Sequence, residues 1–130
     1  MKMVKKISLG SIFIIISFYL VLIIDTNIVM NRAKKIFLNN TSENEINDQL
    51  FRYDSCRYFK KEEIGKIELK LFRVFVFHNF QKGIMVIYYT HFIYDNHGNI
   101  LMGSKNIFPV IWRIKKFNKI WNVIEIKEDP

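Results

Sequence analysis

Cysteine and alanine are almost missing from this 130-residue chain. Cys56 is the single thiol, which excludes an intramolecular disulfide and any metal site built from several cysteines. Ala33 is the single alanine, whereas Ile, Phe, Asn and Lys abound, a bias that says more about codon usage than about chemistry. Acidic residues are also scarce: 12 stand against 20 lysines and arginines, giving a formal net charge of +8 and a pI near 9.6. No serine sits in a G-x-S-x-G or S-x-x-K context, so the usual serine-nucleophile signatures are lacking. No internal repeat and no low-complexity linker divides the chain. What it does have is apolar surface: half its residues are hydrophobic, enough for one small folded domain and too many for a disordered chain.

The apolar residues concentrate first in "ISLGSIFIIISFYLVLII", residues 7–24, which carries no charge. Eighteen helical residues rise ~27 Å at ~1.5 Å each, close to the ~30 Å of a bilayer's hydrocarbon core. Lys2, Lys5 and Lys6 precede the run and Asp25 closes it. This pattern predicts a basic flank over 1–6 and a transmembrane anchor over 7–24. The alternatives are a cleaved signal, whose apolar region is usually shorter and followed by A-x-A, and a buried soluble helix. No A-x-A follows here, and no cysteine for lipoprotein processing. The leading lysines favour a cytoplasmic N-terminus and a single-pass protein whose C-terminal domain lies outside the cytoplasm, or is secreted if the signal is cleaved. Arg32, Lys34 and Lys35 beyond the span weaken that asymmetry. Without the three leading lysines the rest carries +5, a moderately basic exported domain facing envelope polymers or lipid headgroups.

Residues 25–41 read as a juxtamembrane linker able to continue the helix before a break at Asn39-Asn40, and 42–130 as a small α+β domain. Ser42 with Glu45 forms a capping-box pattern. Ile46, Leu50, Tyr53 and Cys56 follow at helical spacing and predict a helix over 43–59 with Cys56 buried as a small hydrophobe, stopping at Gly65. From Ile67 the period changes to two. Four strands are expected: over 67–78, over 83–95, a third that starts at 100–108 with an interruption at Gly103 and leads into 110–117, and over 120–127, with turns at "HNFQKG", "DNHGN" and Asn118-Lys119. Pro109 belongs at a strand start, bulge or edge. The expected fold is α+β, a transmembrane helix followed by one helix packed on a curved four-stranded antiparallel sheet. One helix covers one face, yet 84–94 is apolar on both: Ile84, Val86, Tyr88 and Phe92 against Met85, Ile87, Tyr89 and Ile93. A strand of this kind calls for a second cover.

The tail "PVIWRIKKFNKIWNVIEIKE" resembles the last hairpin of small NTF2-like or cystatin-like domains, with their Pro-x-x-Trp strand, short turn and Trp-containing strand ending in acidic residues. The resemblance spans roughly 43–130 and extends to the order of helix and long antiparallel strands, often behind a bacterial signal or anchor. It implies a fold and not an activity.

Candidate chemistry is sparse. A turn at Gln81-Lys82 would set His78 opposite Met85 and His91 near Phe72, about six residues or ~20 Å apart along the strands. That is too far for one metal ion, and His97 falls in a turn. Glu62-Glu63 lie in a lysine-flanked loop, as a solvated pair. His91 and Asp95, at i and i+4 on one strand face, are the acid–base pair worth testing. Strand parity sets Arg113 and Lys115 opposite Trp112 and Ile114, which argues against a nucleic-acid grip and for cations protecting a sheet edge.

The expectation is therefore a membrane-anchored, non-enzymatic domain without cofactor or metal. It binds another protein, or itself, through an uncovered sheet face, and no nucleic acid. Tyr88, Tyr89, His91, Tyr94 and Trp112 are the candidate pocket or interface residues. The alternative is an NTF2-like small-ligand pocket protein or enzyme. Contact with anionic lipid or wall polymer through Lys34, Lys35, Lys60, Lys61 and Lys66 is a third idea.

Overall fold

The computed structural model describes residues 2–39 and 49–128, with helix side chains from Ser8 onward. One helix, α1 (Lys2–Phe37), leads into three short 3-10 turns and then four strands: β1 (Lys66–His78), β2 (Lys82–Tyr94), β3 (Ile100–Phe117) and β4 (Ile120–Glu128). The strands form one antiparallel sheet in the order β1-β2-β3-β4. The sheet is curved and unclosed, and the fold is α+β as the sequence implies.

The apolar run and residues 25–37 of the linker are one continuous helix. Leu22, Thr26, Val29, Ala33, Ile36 and Phe37 recur at steps of three and four and are all buried against the sheet. Ala33, the lone alanine, is fully buried in that stripe, where a small side chain lets the helix backbone come close to the strands. Thr26 turns its hydroxyl back onto the Leu22 carbonyl at 2.9 Å, so burying it leaves no donor unpaired. The helix that covers the sheet is thus the second half of α1 itself.

The helix expected over 43–59 is not there in its described part. Its capping residues Ser42 and Glu45, and Ile46, lie outside the described residues. Residues 49–63 form 3-10 turns, Gln49–Tyr53, Ser55–Arg57 and Lys61–Glu63. Leu50 and Tyr53 are buried as the stripe requires. Asp54 then leaves the helical region (ψ 114°) and caps the next turn by accepting from the Cys56 amide at 3.0 Å. That break points Ser55 inward and leaves Cys56 exposed, contrary to the expectation of a buried thiol.

The second and third hairpin turns match the sequence closely. Asn118 and Lys119 both take positive φ (50° and 67°), the twist that suits a two-residue hairpin. Gly98 closes the second turn at φ 81°. Pro109 sits at a register irregularity of β3, beyond the reach of β4, where its missing N–H costs no ladder bond. Gly103 does not interrupt β3. It pairs with Phe92, whose ring lies where a Cβ would be. The first hairpin turns earlier than expected: His78 faces Gly83, a bulge follows between Arg73 and Phe75, and His91 faces Leu69. In β4 a bulge near Ile124 brings Ile126 round to the helix side opposite Trp112.

Candidate functional site

The five candidate residues divide between the two faces of the sheet. Tyr89, His91 and Trp112 point inward under the end of α1, whereas Tyr88 and Tyr94 are half-buried on the outer face. They do not line one pocket. On the inner side Phe37 fills the space, stacking on Tyr53 at 4.2 Å between ring centroids and meeting His91 edge-on at 4.8 Å. Tyr53 accepts from Trp112 Nε1 at 3.1 Å, and both Tyr53 and Tyr89 donate to Glu128 Oε1 at 2.9 Å. Burial and the neighbouring carboxylate push both phenols well above their ordinary range, so they stay protonated donors. Tyr53 and Glu128 carry this network; the apolar stripe placed Tyr53 inward but gave no sign of its polar role, and no sequence rule singled out Glu128.

His91 is 3% exposed, and burial pushes it down to about 4 despite a hydrogen bond to the Phe37 backbone. Its Nε2 is buried with no partner. Asp95 is engaged elsewhere: its carboxylate accepts from the amides of His97 and Asn99 at 2.8 and 2.9 Å and so shapes the turn. The i, i+4 pair is therefore not an assembled acid and base. His78 and His91 stand nine residues apart in β1 register, ~30 Å at ~3.3 Å per residue. Among the described residues no three of His, Cys, Asp and Glu converge as metal ligands would.

A second polar cluster is centred on Asp25, where the apolar run ends. Its Oδ2 accepts from Trp121 Nε1 at 2.9 Å, with Lys116 Nζ at 3.5 Å and His78 Nε2 at 3.7 Å. His78 is 1% exposed. Its Nδ1 accepts from the Phe80 amide at 3.0 Å, which leaves the proton on Nε2, facing the Leu22 carbonyl at 3.4 Å. Burial holds this imidazole below its usual range, against the opposing pull of the Leu22 carbonyl and Asp25. With both ring nitrogens and the carboxylate engaged, the cluster clamps helix to sheet rather than offering a free base. A lone carboxylate bounding an apolar run was its only sequence signal.

The outer face is different in kind. Phe72, Phe77, Ile84, Phe108 and Ile124 are exposed there, and Tyr88 and Tyr94 add their rings while bonding Asn106 and Glu68. Near the first hairpin, Phe77, Ile84 and Ile124 floor an open groove of about 510 Å³ rimmed by Lys82, Arg113 and Lys115. Arg113 and Lys115 thus lie on the outer face of an inner strand; the sheet edges are β1 and β4, so edge protection is not their role. No protein-family model, curated protein or solved structure matches this chain.

Proposed function

We propose that the protein is a single-pass, membrane-anchored, non-enzymatic domain, placed outside the cytoplasm, that binds a partner protein through the outer face of its sheet. One observation carries the anchor. Ile12 to Ile16 are five consecutive exposed apolar residues, so every side of α1 is apolar there and none is covered by the domain. A helix apolar all round requires a membrane or a protein core, and Ser8–Phe37 is long and apolar enough to cross a bilayer. Because the same helix forms the inner layer of the domain, the sheet is held in a fixed orientation to the membrane. Its distal outer face, around Phe72, Tyr88 and Phe92, is then left to another polypeptide. A small-ligand pocket of the NTF2-like kind is the weaker reading, since Phe37 and Tyr53 fill the helix side of the sheet.

Membrane integration is checked by alkaline carbonate extraction and orientation by a reporter fused at the C-terminus. The expected results are retention in the membrane and a reporter active outside the cytoplasm. Partner binding is checked with a photo-crosslinking residue at Phe92, which should join the chain to a second polypeptide. A cytoplasmic reporter, or a Phe92 probe that forms no protein adduct, contradicts the reading.

A further inference from the structure

The sheet and the apolar run overlap. Phe18 meets Phe80 of the first hairpin at 6.4 Å, Tyr19 stacks on Phe75 at 6.0 Å and accepts from the Val76 amide at 3.3 Å, and Leu22 is buried. Phe18 lies six residues before Ile24, ~9 Å down the helix at ~1.5 Å per residue. If the sheet stood clear of the bilayer, only residues 7–17 would remain to cross it, ~16 Å against a ~30 Å hydrocarbon core. Both hairpins at this end carry what a bilayer surface favours. Phe80, Phe117 and Ile120 are exposed at the tips, and Lys82, Lys115 and Lys119 stand beside them.

We propose that this hairpin end of the sheet lies in the headgroup layer of the membrane, and that the groove floored by Phe77, Ile84 and Ile124 takes an anionic lipid. The inference rests on the membrane reading of 7–24. Lys82, Arg113 and Lys115 supply the charge complement for a phosphate headgroup, with the apolar floor receiving the upper acyl chain. Glu125 is an acid facing this rim, and Arg113 pairs with it at 3.2 Å, leaving a cationic excess. The geometry moves lipid contact away from the lysines that the sequence suggested: Lys66 starts β1, twelve residues and ~40 Å of strand from His78, and Lys34 and Lys35 lie in the last turn of α1.

The test uses the full chain carrying Cys56→Ser, reconstituted in nanodiscs of phosphatidylcholine with or without phosphatidylglycerol. A fluorophore is attached at Phe80→Cys, Phe117→Cys or, as control, Asn96→Cys in the distal turn. Spin-labelled lipid should quench the first two and spare the third. Native mass spectrometry should show phosphatidylglycerol retained over phosphatidylcholine. The K82Q/R113Q/K115Q variant should lose that preference by about fivefold per charge, roughly 100-fold in all, while remaining resistant to carbonate. Unquenched probes on a carbonate-resistant chain overturn the proposal and leave the anchor standing. Equal retention of both lipids, or a groove occupied by a second copy as a dimer broken by Ile124→Asp, also overturns it. Extraction of the chain by carbonate overturns the anchor reading and this proposal together.

Discussion

At Asp25 the helix meets its first charge after the apolar run, and that charge is spent on the sheet. Trp121 donates to it at 2.9 Å, and His78 and Lys116 stand near. Asp25→Ala leaves the Trp121 N–H without its acceptor, and a hydrogen bond to a charged group contributes about 1.5–3 kcal/mol. Chemical unfolding of the detergent-solubilised chain should register a loss in that range. Tyr53→Phe removes the acceptor of the buried Trp112 N–H and should cost about 1–3 kcal/mol in the same assay. His91 gives a pH dependence. Its folded pKa of about 4 lies below the unfolded value near 6.5, so the unfolded chain takes up the proton first as pH falls. The stability of neutral His91 is complete above about pH 6.5 and is lost progressively down to about pH 4, on the order of 3 kcal/mol. His78 shifts in the same direction and adds to the loss. Unfolding measured at pH 7 and pH 4.5 should show this decline, and His91→Leu should flatten part of it. Of these side chains only Tyr53, on an apolar stripe, and Trp112, which strand parity set on the face opposite Arg113 and Lys115, were placed beforehand; none of the polar roles was legible.

Among the elements, α1 carries both the apolar run and the layer that covers the sheet, and its continuity is open to a direct test. Ile28 is exposed on the part of α1 that covers the sheet. Ile28→Pro removes a helical hydrogen bond and should cost about 3 kcal/mol, whereas Ile28→Ala should stay within about 0.5 kcal/mol. Denaturant midpoints of the two variants provide the comparison. In the sheet, a Cβ on Gly83 would fall 2.3 Å from the Phe77 carbonyl oxygen, a backbone atom that moves only with the strand. Gly83→Ala should therefore destabilise the first hairpin by about 1–3 kcal/mol. The strands were readable because apolar alternation and the Asn-Lys and Asn-His-Gly turns act locally. The bulges after Arg73 and near Ile124 were not, because a single inserted residue leaves no mark in a strand already apolar on both faces. The helix expected over 43–59 failed for a related reason. Leu50 and Tyr53 satisfy a helical stripe and a single 3-10 turn equally well until Asp54 breaks the line.

For the whole molecule, the sequence already separated an apolar run from an α+β domain. It did not disclose that the two overlap. A span counted by hydropathy ends at Ile24, while packing begins at Phe18, because contact with a distant hairpin carries no local signature. That overlap makes the apolar run and the domain one body, and under the anchored reading proposed above it would set the outer sheet face against the membrane at one end and free of it at the other. The most direct test is a cysteine-accessibility scan along α1 in nanodiscs, in a Cys56→Ser background, read by reaction with a water-soluble maleimide. Positions 12–16 should be unreactive on every side of the helix, and reaction should return at the exposed positions Asn27, Ile28 and Asn31. Reaction at any contiguous face of 12–16 would place that stretch in water and contradict the anchored reading.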